Sequence, residues 1–320
     1  MKVLSKLKNS LVCIAMLTFM VACNNDDEKS EPTSNSIAAI ASKNSDFSTL
    51  VNALNRTGLT ATLNGSGQFT VFAPTNAAFD TFFSSLGTGV NVNNVDVNVL
   101  KNVLLNHVIG SEIMSANIPA STYVSTLSPI NSSANAPTVS MFVQKSGSVV
   151  TINGGINNGG AVVSTADVDA SNGVIHVVKR VIAIPTVKNH AVANPNFSTL
   201  TQLLVTQNLA ATLDGTSGSP FTVFAPVNSA FDNATLTLYG NLTSTQKTNV
   251  LLYHVVGGVN VRSNAIPSGN ITTLQGQTFS ITGTSINDAG SDVNKNITLT
   301  DVQCSNGIIH AIDKVLLPAL

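Results

Sequence analysis

The sequence predicts an α+β fold that occurs twice, as two tandem domains along a chain of 320 residues. The first observation is internal repetition, because several short segments recur in the same order about 150 residues later. The second is a change of pattern inside each copy, from helical spacing of apolar residues to short β-prone runs. Helices followed by a strand-rich half are typical of an α+β unit.

The composition agrees with an extracellular protein rich in strands and turns. Hydrophobic residues make up 43% of the chain and charged residues only 10%, and the formal net charge is −1. Lys and Arg form no basic stripe, which argues against a nucleic-acid partner, because such proteins neutralise phosphates with clustered cations. Trp is absent and only three Tyr are present. A site that binds sugars by stacking on exposed rings is therefore not indicated.

The first 22 residues have the pattern of an export signal. Lys2, Lys6 and Lys8 precede an apolar run at 11–22 that only Thr18 interrupts. This run of 12 residues is shorter than the roughly 20 residues that span a bilayer. It fits the apolar region of a signal peptide.

The apolar run ends in Met20-Val21-Ala22-Cys23, which resembles the lipobox of bacterial lipoproteins, with Met20 where Leu is usual. The resemblance implies that Cys23 is the lipidation site and that a lipid anchor holds the chain at the cell surface, in the outer membrane. An ordinary signal peptide, or a short anchor with an incidental Cys, is the alternative. Residues 23–35 are polar and predict a solvated tether. Their acidic cluster resembles an export tag of Bacteroidetes lipoproteins, and a plain linker explains it equally well.

The repeats divide the rest of the chain into two copies. Phe-Thr-Val-Phe-Ala-Pro at 69–74 recurs at 221–226, and Asn-Gly-x-Ile-His at 172–176 recurs at 306–310. Repeats of this length are domains, since solenoid repeats are much shorter.

The predicted domains are 36–185 and 196–320. Residues 186–195 are expected to be a linker, because Pro185 and Pro195 flank a polar stretch without strong periodicity.

Each copy is expected to begin with helices. Phe47, Leu50 and Leu54 lie on one face of an amphipathic helix. The strand at 68–72 is followed by a helix with Thr75 or Asn76 as its cap. In the second copy Val227 cannot cap, so Asn228 is expected to do so. A further helix precedes each of the apolar segments that contain His107 and His254.

The second half of each copy is expected to consist of strands. They are predicted at 148–152, 161–164 and 174–184 in the first copy and at 278–282, 297–302 and 308–317 in the second. The Asn-Gly pairs at 172–173 and 306–307 indicate tight turns, because Asn and Gly adopt positive φ readily.

Three motifs in the same order resemble the fasciclin domain family. They are Phe-Thr-Val-Phe-Ala-Pro-x-Asn-x-Ala-Phe at 69–79 and 221–231, Leu-Leu-Tyr-His-Val-Val at 251–256, and Asp-Val-x-x-x-Asn-Gly-x-Ile-His at 167–176 and 301–310. The resemblance covers most of the chain after the tether. It implies that each domain is a wedge of β-sheet flanked by short helices, with a role in adhesion or matrix binding.

The resemblance also singles out Tyr253 and His254 as a candidate adhesion motif, because a Tyr-His pair has been tied to integrin binding in animal members. The first copy departs from this pattern with Asn106. A structural role for Tyr253 and His254 is nevertheless the interpretation we favour.

The remaining polar residues of the motifs suggest structure rather than chemistry. His107, His176 and His310 stand in apolar contexts without metal-ligand spacing and are expected to satisfy buried backbone groups. Asp167 and Asp301 are expected to fix turns through side-chain hydrogen bonds. Cys304 is expected to be buried. No catalytic residue, metal site, cofactor site or nucleotide-binding motif is predicted.

The sequence therefore predicts a surface-anchored, non-enzymatic lipoprotein that binds an extracellular protein or polysaccharide. The alternative is a glycan- or nutrient-capturing accessory of an outer-membrane uptake system, which exposed Tyr123 and Tyr239 lining one groove would favour. A third possibility is a hydrolase, which a Ser–His–Asp set around an exposed His254 would support. The sequence gives no oligomeric state.

Overall fold

The computed structural model describes residues 35–290 and 295–320. The predicted signal peptide, Cys23 and almost all of the predicted tether lie outside these residues. None of the helices in the described ranges is long and apolar enough to cross a membrane.

The helices of the described residues are short, and each copy has five of them, on both sides of its first strand in the sequence. They are α1 Ile37–Lys43, α2 Ser48–Thr57, α3 Thr60–Asn64, α4 Asn76–Leu86, α5 Val97–Asn106, α6 Val187–Ala193, α7 Ser198–Thr206, α8 Ala210–Asp214, α9 Asn233–Asn241 and α10 Ser244–Leu252. Single 3-10 turns lie at Ser45–Phe47, Ser115–Asn117, Ile156–Asn158, Pro195–Phe197, Asn228–Ala230 and Ser263–Ala265.

The strands follow the same order in both copies. They are β1 Phe69–Pro74, β2 Val108–Ile109, β3 Ser121–Pro129, β4 Thr138–Ser146, β5 Val149–Ile152, β6 Ala161–Ala170, β7 Gly173–Val178, β8 Phe221–Pro226, β9 Val255–Val256, β10 Gly269–Thr272, β11 Thr278–Thr282, β12 Ser285–Asn287, β13 Lys295–Cys304 and β14 Gly307–Ile312. Both copies thus combine a helical first half with a strand-rich second half, and the predicted α+β fold is confirmed.

The sheets bring the repeated motifs side by side. In the first copy β1 to β7 close a barrel, and β1 pairs in parallel with β7 so that Phe72 lies opposite His176. In the second copy β8 pairs in parallel with β14, and Phe224 lies opposite His310. The second sheet runs from β10 to β9 without closing. Motifs about 100 residues apart in sequence therefore meet in one layer of each domain.

Each copy buries apolar side chains on both faces of its sheet. In the first copy the helices pack Leu50, Phe79 and Leu100 against one face, and Phe72 and Met141 fill the inside of the barrel. In the second copy Phe197 and Leu251 lie under the helices, and Phe224, Tyr253 and Phe279 lie on the other face. Each domain therefore has two separate apolar cores, one on each face of its sheet.

The expectation of a linker across 186–195 needs correction. Thr186 caps α6, and the Val187 N–H donates to Asn306 Oδ1 at 2.9 Å. The Ile37 N–H of α1 donates to Asn172 Oδ1 in the same way, also at 2.9 Å. The interval therefore contains the first helix of the second copy. A helix of seven residues makes only two turns, too few for apolar periodicity to show in the sequence.

The structure also shifts the predicted strand limits. β7 and β14 stop at Val178 and Ile312, short of the predicted 184 and 317, because the chain leaves the sheet to reach the buried histidines described below. The sequence pattern does not predict β3 and β4, since Ser and Thr obscure the alternation of their apolar residues.

Candidate functional site

The motif at the end of β6 joins a carboxylate, a hydroxyl and an imidazole. Asp167 has a φ of 58° and lies at an irregularity in the β6–β7 pairing. Its carboxylate accepts from the Ser115 N–H at 2.7 Å and from the Ser115 hydroxyl at 2.5 Å. The Asp167 N–H donates to His176 Nδ1 at 3.2 Å, and His176 Nε2 donates to the Ile113 carbonyl at 3.0 Å. The set ties β6 and β7 to the loop at 110–119.

The second copy repeats this arrangement. Asp301, with a φ of 62°, accepts from the Ser263 N–H and hydroxyl at 2.8 and 2.6 Å. His310 Nε2 donates to the Val261 carbonyl at 2.9 Å. Burial by itself would raise the pKa of the Asp301 carboxyl, but the hydrogen bonds from Ser263 and the charge of Arg262 hold that pKa below its usual value. The pKa of Asp167 is shifted in the same direction, with Ser115 supplying the hydrogen bonds against burial.

These Ser, His and Asp residues do not have the geometry of a catalytic triad. A triad requires the serine hydroxyl to donate to the imidazole, which in turn donates to the carboxylate. Here the Ser115 hydroxyl donates to Asp167 directly, and both ring nitrogens of His176 are engaged by backbone groups. Among the described residues, no group of three or more His, Cys, Asp or Glu is placed to hold a metal ion.

The other pair of histidines fastens the end of each copy to a helix. His107 Nδ1 donates to the Val103 carbonyl at 2.7 Å, and its Nε2 accepts from the Ile182 N–H at 2.9 Å. His254 Nδ1 donates to the Val250 carbonyl at 2.8 Å, and its Nε2 accepts from the Leu316 N–H at 2.8 Å. Only a neutral imidazole donates from one nitrogen and accepts at the other.

Burial keeps these two rings neutral. It lowers the pKa of both His107 and His254 to about 4, and the hydrogen bonds to Val103 and Val250 offset the effect only partly. Protonation would add a hydrogen to Nε2, which could then no longer accept the hydrogen bond from the Ile182 or Leu316 N–H. The paired geometry is what a structural role requires, and we keep that interpretation for these residues.

The candidate adhesion motif does not reach the surface. Tyr253 is 0% exposed and His254 is 2% exposed. The Tyr253 hydroxyl donates to the Thr278 carbonyl at 2.7 Å, and its ring contacts Phe279. The expectation that these side chains touch a partner directly is therefore corrected, because neither offers surface to it. Asn106, at the position of Tyr253 in the first copy, is also buried and donates to the Ile182 and Ala183 carbonyls.

Asn76 and Asn228 act on helices other than those they were expected to cap. Thr75 caps α4, while Asn76 Oδ1 accepts from the Thr49 N–H at 2.9 Å in the first turn of α2. Asn228 Oδ1 accepts from the Thr199 N–H at 3.0 Å in the first turn of α7. The expectation that Asn228 caps its own helix is wrong, because it starts a 3-10 turn without a side-chain cap.

Two asparagines of the Asn-Gly turns have a role that sequence reasoning did not identify. Asn172 Oδ1 accepts from α1, and its Nδ2 donates to the Leu63 and Gly65 carbonyls at 2.8 and 3.0 Å. Asn306 repeats the pattern with α6, Leu213 and Gly215. The signal that could have found them is the recurrence of Asn at the same place in both copies.

Tyr123, α6 and β13 meet where the two copies contact each other. The Tyr123 hydroxyl accepts from Asn194 Nδ2 at 3.2 Å, and its ring lies edge-on to His190 at 5.4 Å. The Gln303 N–H donates to the Ser140 hydroxyl at 3.0 Å. Burial raises the pKa of the Tyr123 hydroxyl. These contacts hold the two domains in one arrangement.

His190 and Cys304 lie in this contact region and are both 0% exposed. Burial lowers the pKa of His190 to about 4, and the nearby backbone of Ser140 and Gln303 offsets this only partly. Burial raises the pKa of the Cys304 thiol well above its ordinary value, which disfavours the nucleophilic thiolate.

The exposed tyrosines that would favour glycan capture do not share a groove. Tyr239 is buried among the helices of the second copy, where burial raises the pKa of its hydroxyl to about 12. Tyr123 contacts Asn194 and His190 where the two copies meet. The stacking platform that the capture alternative calls for is therefore not formed by this pair.

Comparison with known proteins agrees with the resemblance that the sequence motifs show. The family model described as "Fasciclin domain" matches residues 45–185 and again residues 195–318. Human periostin is 27% identical over 264 residues, which are 80% of this chain and 29% of periostin. Protein sll1483 of Synechocystis is 33% identical over 165 residues, which are 50% of this chain and 81% of that protein. The chain thus spans less than a third of periostin.

A solved structure covers the same pair of domains. It is described as a FAS1 domain pair from the insect cell adhesion molecule fasciclin I, with 21% sequence identity and a TM-score of 0.48, covering 83% of this chain and 92% of that chain.

Proposed function

Because this chain belongs to the fasciclin domain family, which its sequence matches twice, we propose that it is a surface-anchored, non-enzymatic adhesion or matrix-binding protein. Its partner would be an extracellular protein or polysaccharide. The observation that carries the proposal is that the motif residues form hydrogen bonds inside their own domain. In both copies the histidines, aspartates and asparagines of the motifs bond to groups within their own domain.

Recognition would then fall to the exposed loops that differ between the copies. The contact between the domains supports this, because it presents two loop-bearing surfaces at a fixed spacing. A partner that engages both surfaces gains avidity through effective concentration.

A binding screen tests the partner. The full chain is applied to an array of matrix proteins and polysaccharides, and we expect retention on at least one class. Retention on polysaccharides alone would favour the capture alternative. Retention on neither class, with the chain folded by circular dichroism, would contradict the proposal. Replacing the exposed loops of one domain at a time then assigns the surface.

We also propose that acylation of Cys23 supplies the anchor, since several acyl chains together hold a protein stably on a bilayer. Metabolic labelling with a radioactive fatty acid tests this in cells. Cys23→Ser is expected to abolish the label and release the chain from membranes. Cys13→Ser and Cys304→Ser are matched controls. These two variants should keep both the fatty-acid label and the attachment to membranes. Label that persists in Cys23→Ser would refute the anchor while leaving the binding function open.

A further inference from the structure

The first copy has an open cavity at the mouth of its barrel. The cavity measures about 330 Å³, and its floor consists of the buried side chains of Phe72, Ile109 and Val143. Glu112 and Asn117 lie at the rim and are exposed. Cavities of this size with mostly apolar walls and a few polar rim groups are typical ligand sites.

The pairing of the strands explains the opening. β2 has only two residues, and it joins β3 through the single pair Ile109 and Thr126. Residues 121–125 of β3 therefore extend past β2 without a partner on that side, and the chain at 110–119 crosses the gap. A second cavity of about 470 Å³ shares Ile109, Ile113 and Val124 as walls with the first.

The second copy packs aromatic rings in the corresponding core cluster. Phe224 contacts Phe279 at 5.1 Å between ring centroids, and Phe279 contacts Tyr253 at 5.8 Å. In the first copy Asn106 stands in place of Tyr253. In the first copy, Met141 of β4 lies opposite Val124 of β3. In the second copy, Phe279 of β11 lies opposite Ile271 of β10. These two positions are therefore aromatic only in the second copy.

The charge of the rim indicates what the cavity accepts. Glu112 is the only ionisable side chain among the residues that line the cavity, and it forms no ion pair among the described residues. Its counterpart in the second copy is Asn260, which is bonded to Gln303 at 3.2 Å. A carboxylate above an apolar slot favours a ligand with a cationic head and an apolar tail.

We propose that the barrel mouth of the first domain binds a small amphiphile with a linear apolar chain that ends in a protonated amine. The apolar chain lies along Phe72, Ile109 and Val124, and the ammonium group faces Glu112. This inference does not depend on the adhesive function, and its failure would leave that function untouched.

Calorimetry with simple probes tests the site. The full chain carrying Cys23→Ser is used, so that no acyl group on that residue competes, and it is titrated with octylamine, octanol and octanoate. Octylamine is expected to bind most tightly and octanoate least. Binding by butylamine, hexylamine and octylamine should tighten by about fourfold per added CH₂.

Two substitutions separate charge from shape. Glu112→Gln is expected to weaken octylamine about fivefold, as loss of a rim charge does, and to leave octanol unchanged. Asp169 is an exposed acid on β6, and Asp169→Asn is the matched control. It should change neither the affinity for octylamine nor that for octanol. Thr122→Trp fills the slot and should weaken all three probes, with folding checked by circular dichroism. Equal affinity for octylamine and octanoate, no binding at millimolar concentration, or binding unaffected by Thr122→Trp would overturn the proposal.

Discussion

At the scale of single residues, the four motif histidines each serve as a two-sided hydrogen-bonding group; they are His107, His176, His254 and His310. His254 donates to the end of α10 and accepts from the Leu316 N–H, so it joins the last residues of the chain to a helix. Removing it leaves a buried N–H without a partner, which costs more than the hydrogen bond itself contributes.

We expect His254→Leu to lower the free energy of unfolding by about 2–5 kcal/mol, measured by urea denaturation. His254→Gln is the matched control, because its amide places an acceptor near the position of Nε2, and it should lose less. Equal losses in the two variants would argue that packing, and not the hydrogen bond, explains the effect.

The same burial predicts how stability depends on pH. In the unfolded chain these imidazoles take up protons below about pH 6.5, whereas folding lowers the pKa of His107, His190 and His254 to about 4. The stabilisation is present above pH 6.5 and is lost as the pH falls toward 4, because the unfolded state then binds more protons.

Denaturation midpoints measured between pH 7 and pH 4 should therefore decrease. The free energy of unfolding should fall by several kcal/mol in total, since each tenfold difference in proton affinity between the two states corresponds to about 1.4 kcal/mol. His254→Gln should make the decrease less steep. A midpoint that stays constant over this range would show that these rings titrate normally.

At the scale of elements, side chains from one element complete the ends of another. Asn228 caps α7 from the 3-10 turn after β8, and Asn76 does the same for α2. We expect Asn228→Ala to destabilise the protein by about 1 kcal/mol, as for other helix caps. Asn233→Ala, at an exposed position of α9, is the control and should change stability by less. Thermal unfolding distinguishes the two.

The parallel pairing of β1 with β7 depends on a glycine. Gly173 has a φ of 137°, and a Cβ there would lie 1.9 Å from the Phe69 carbonyl oxygen. We expect Gly173→Ala to destabilise by more than about 3 kcal/mol. Gly147→Ala also requires a positive φ but meets no atom within 4 Å, so its loss should stay near about 1 kcal/mol. Urea denaturation measures both losses, and similar values would mean that backbone conformation alone is responsible.

At the scale of the whole molecule, the two copies act as one body because α6 and Tyr123 lie at their contact. Tyr123→Ala removes the ring contact with His190 and the hydrogen bond from Asn194. Small-angle scattering should then report a larger radius of gyration, with faster protease cleavage near residues 185–195. Thr122→Ala, on the opposite face of β3, should leave both unchanged. An unchanged radius for Tyr123→Ala would place the main contact elsewhere.

The sequence by itself determined the α+β class and the repetition of one fold, because short motifs and their order survive differences in loop length. It also indicated the apolar setting of the histidines. Only the tertiary structure decided that residues 187–193 form a helix, that Asn76 and Asn228 cap neighbouring helices, and that Tyr253 is buried. It also decided that the first barrel has an open cavity at its mouth. These features depend on contacts between residues far apart in the chain, and local propensity and periodicity carry no information about such contacts.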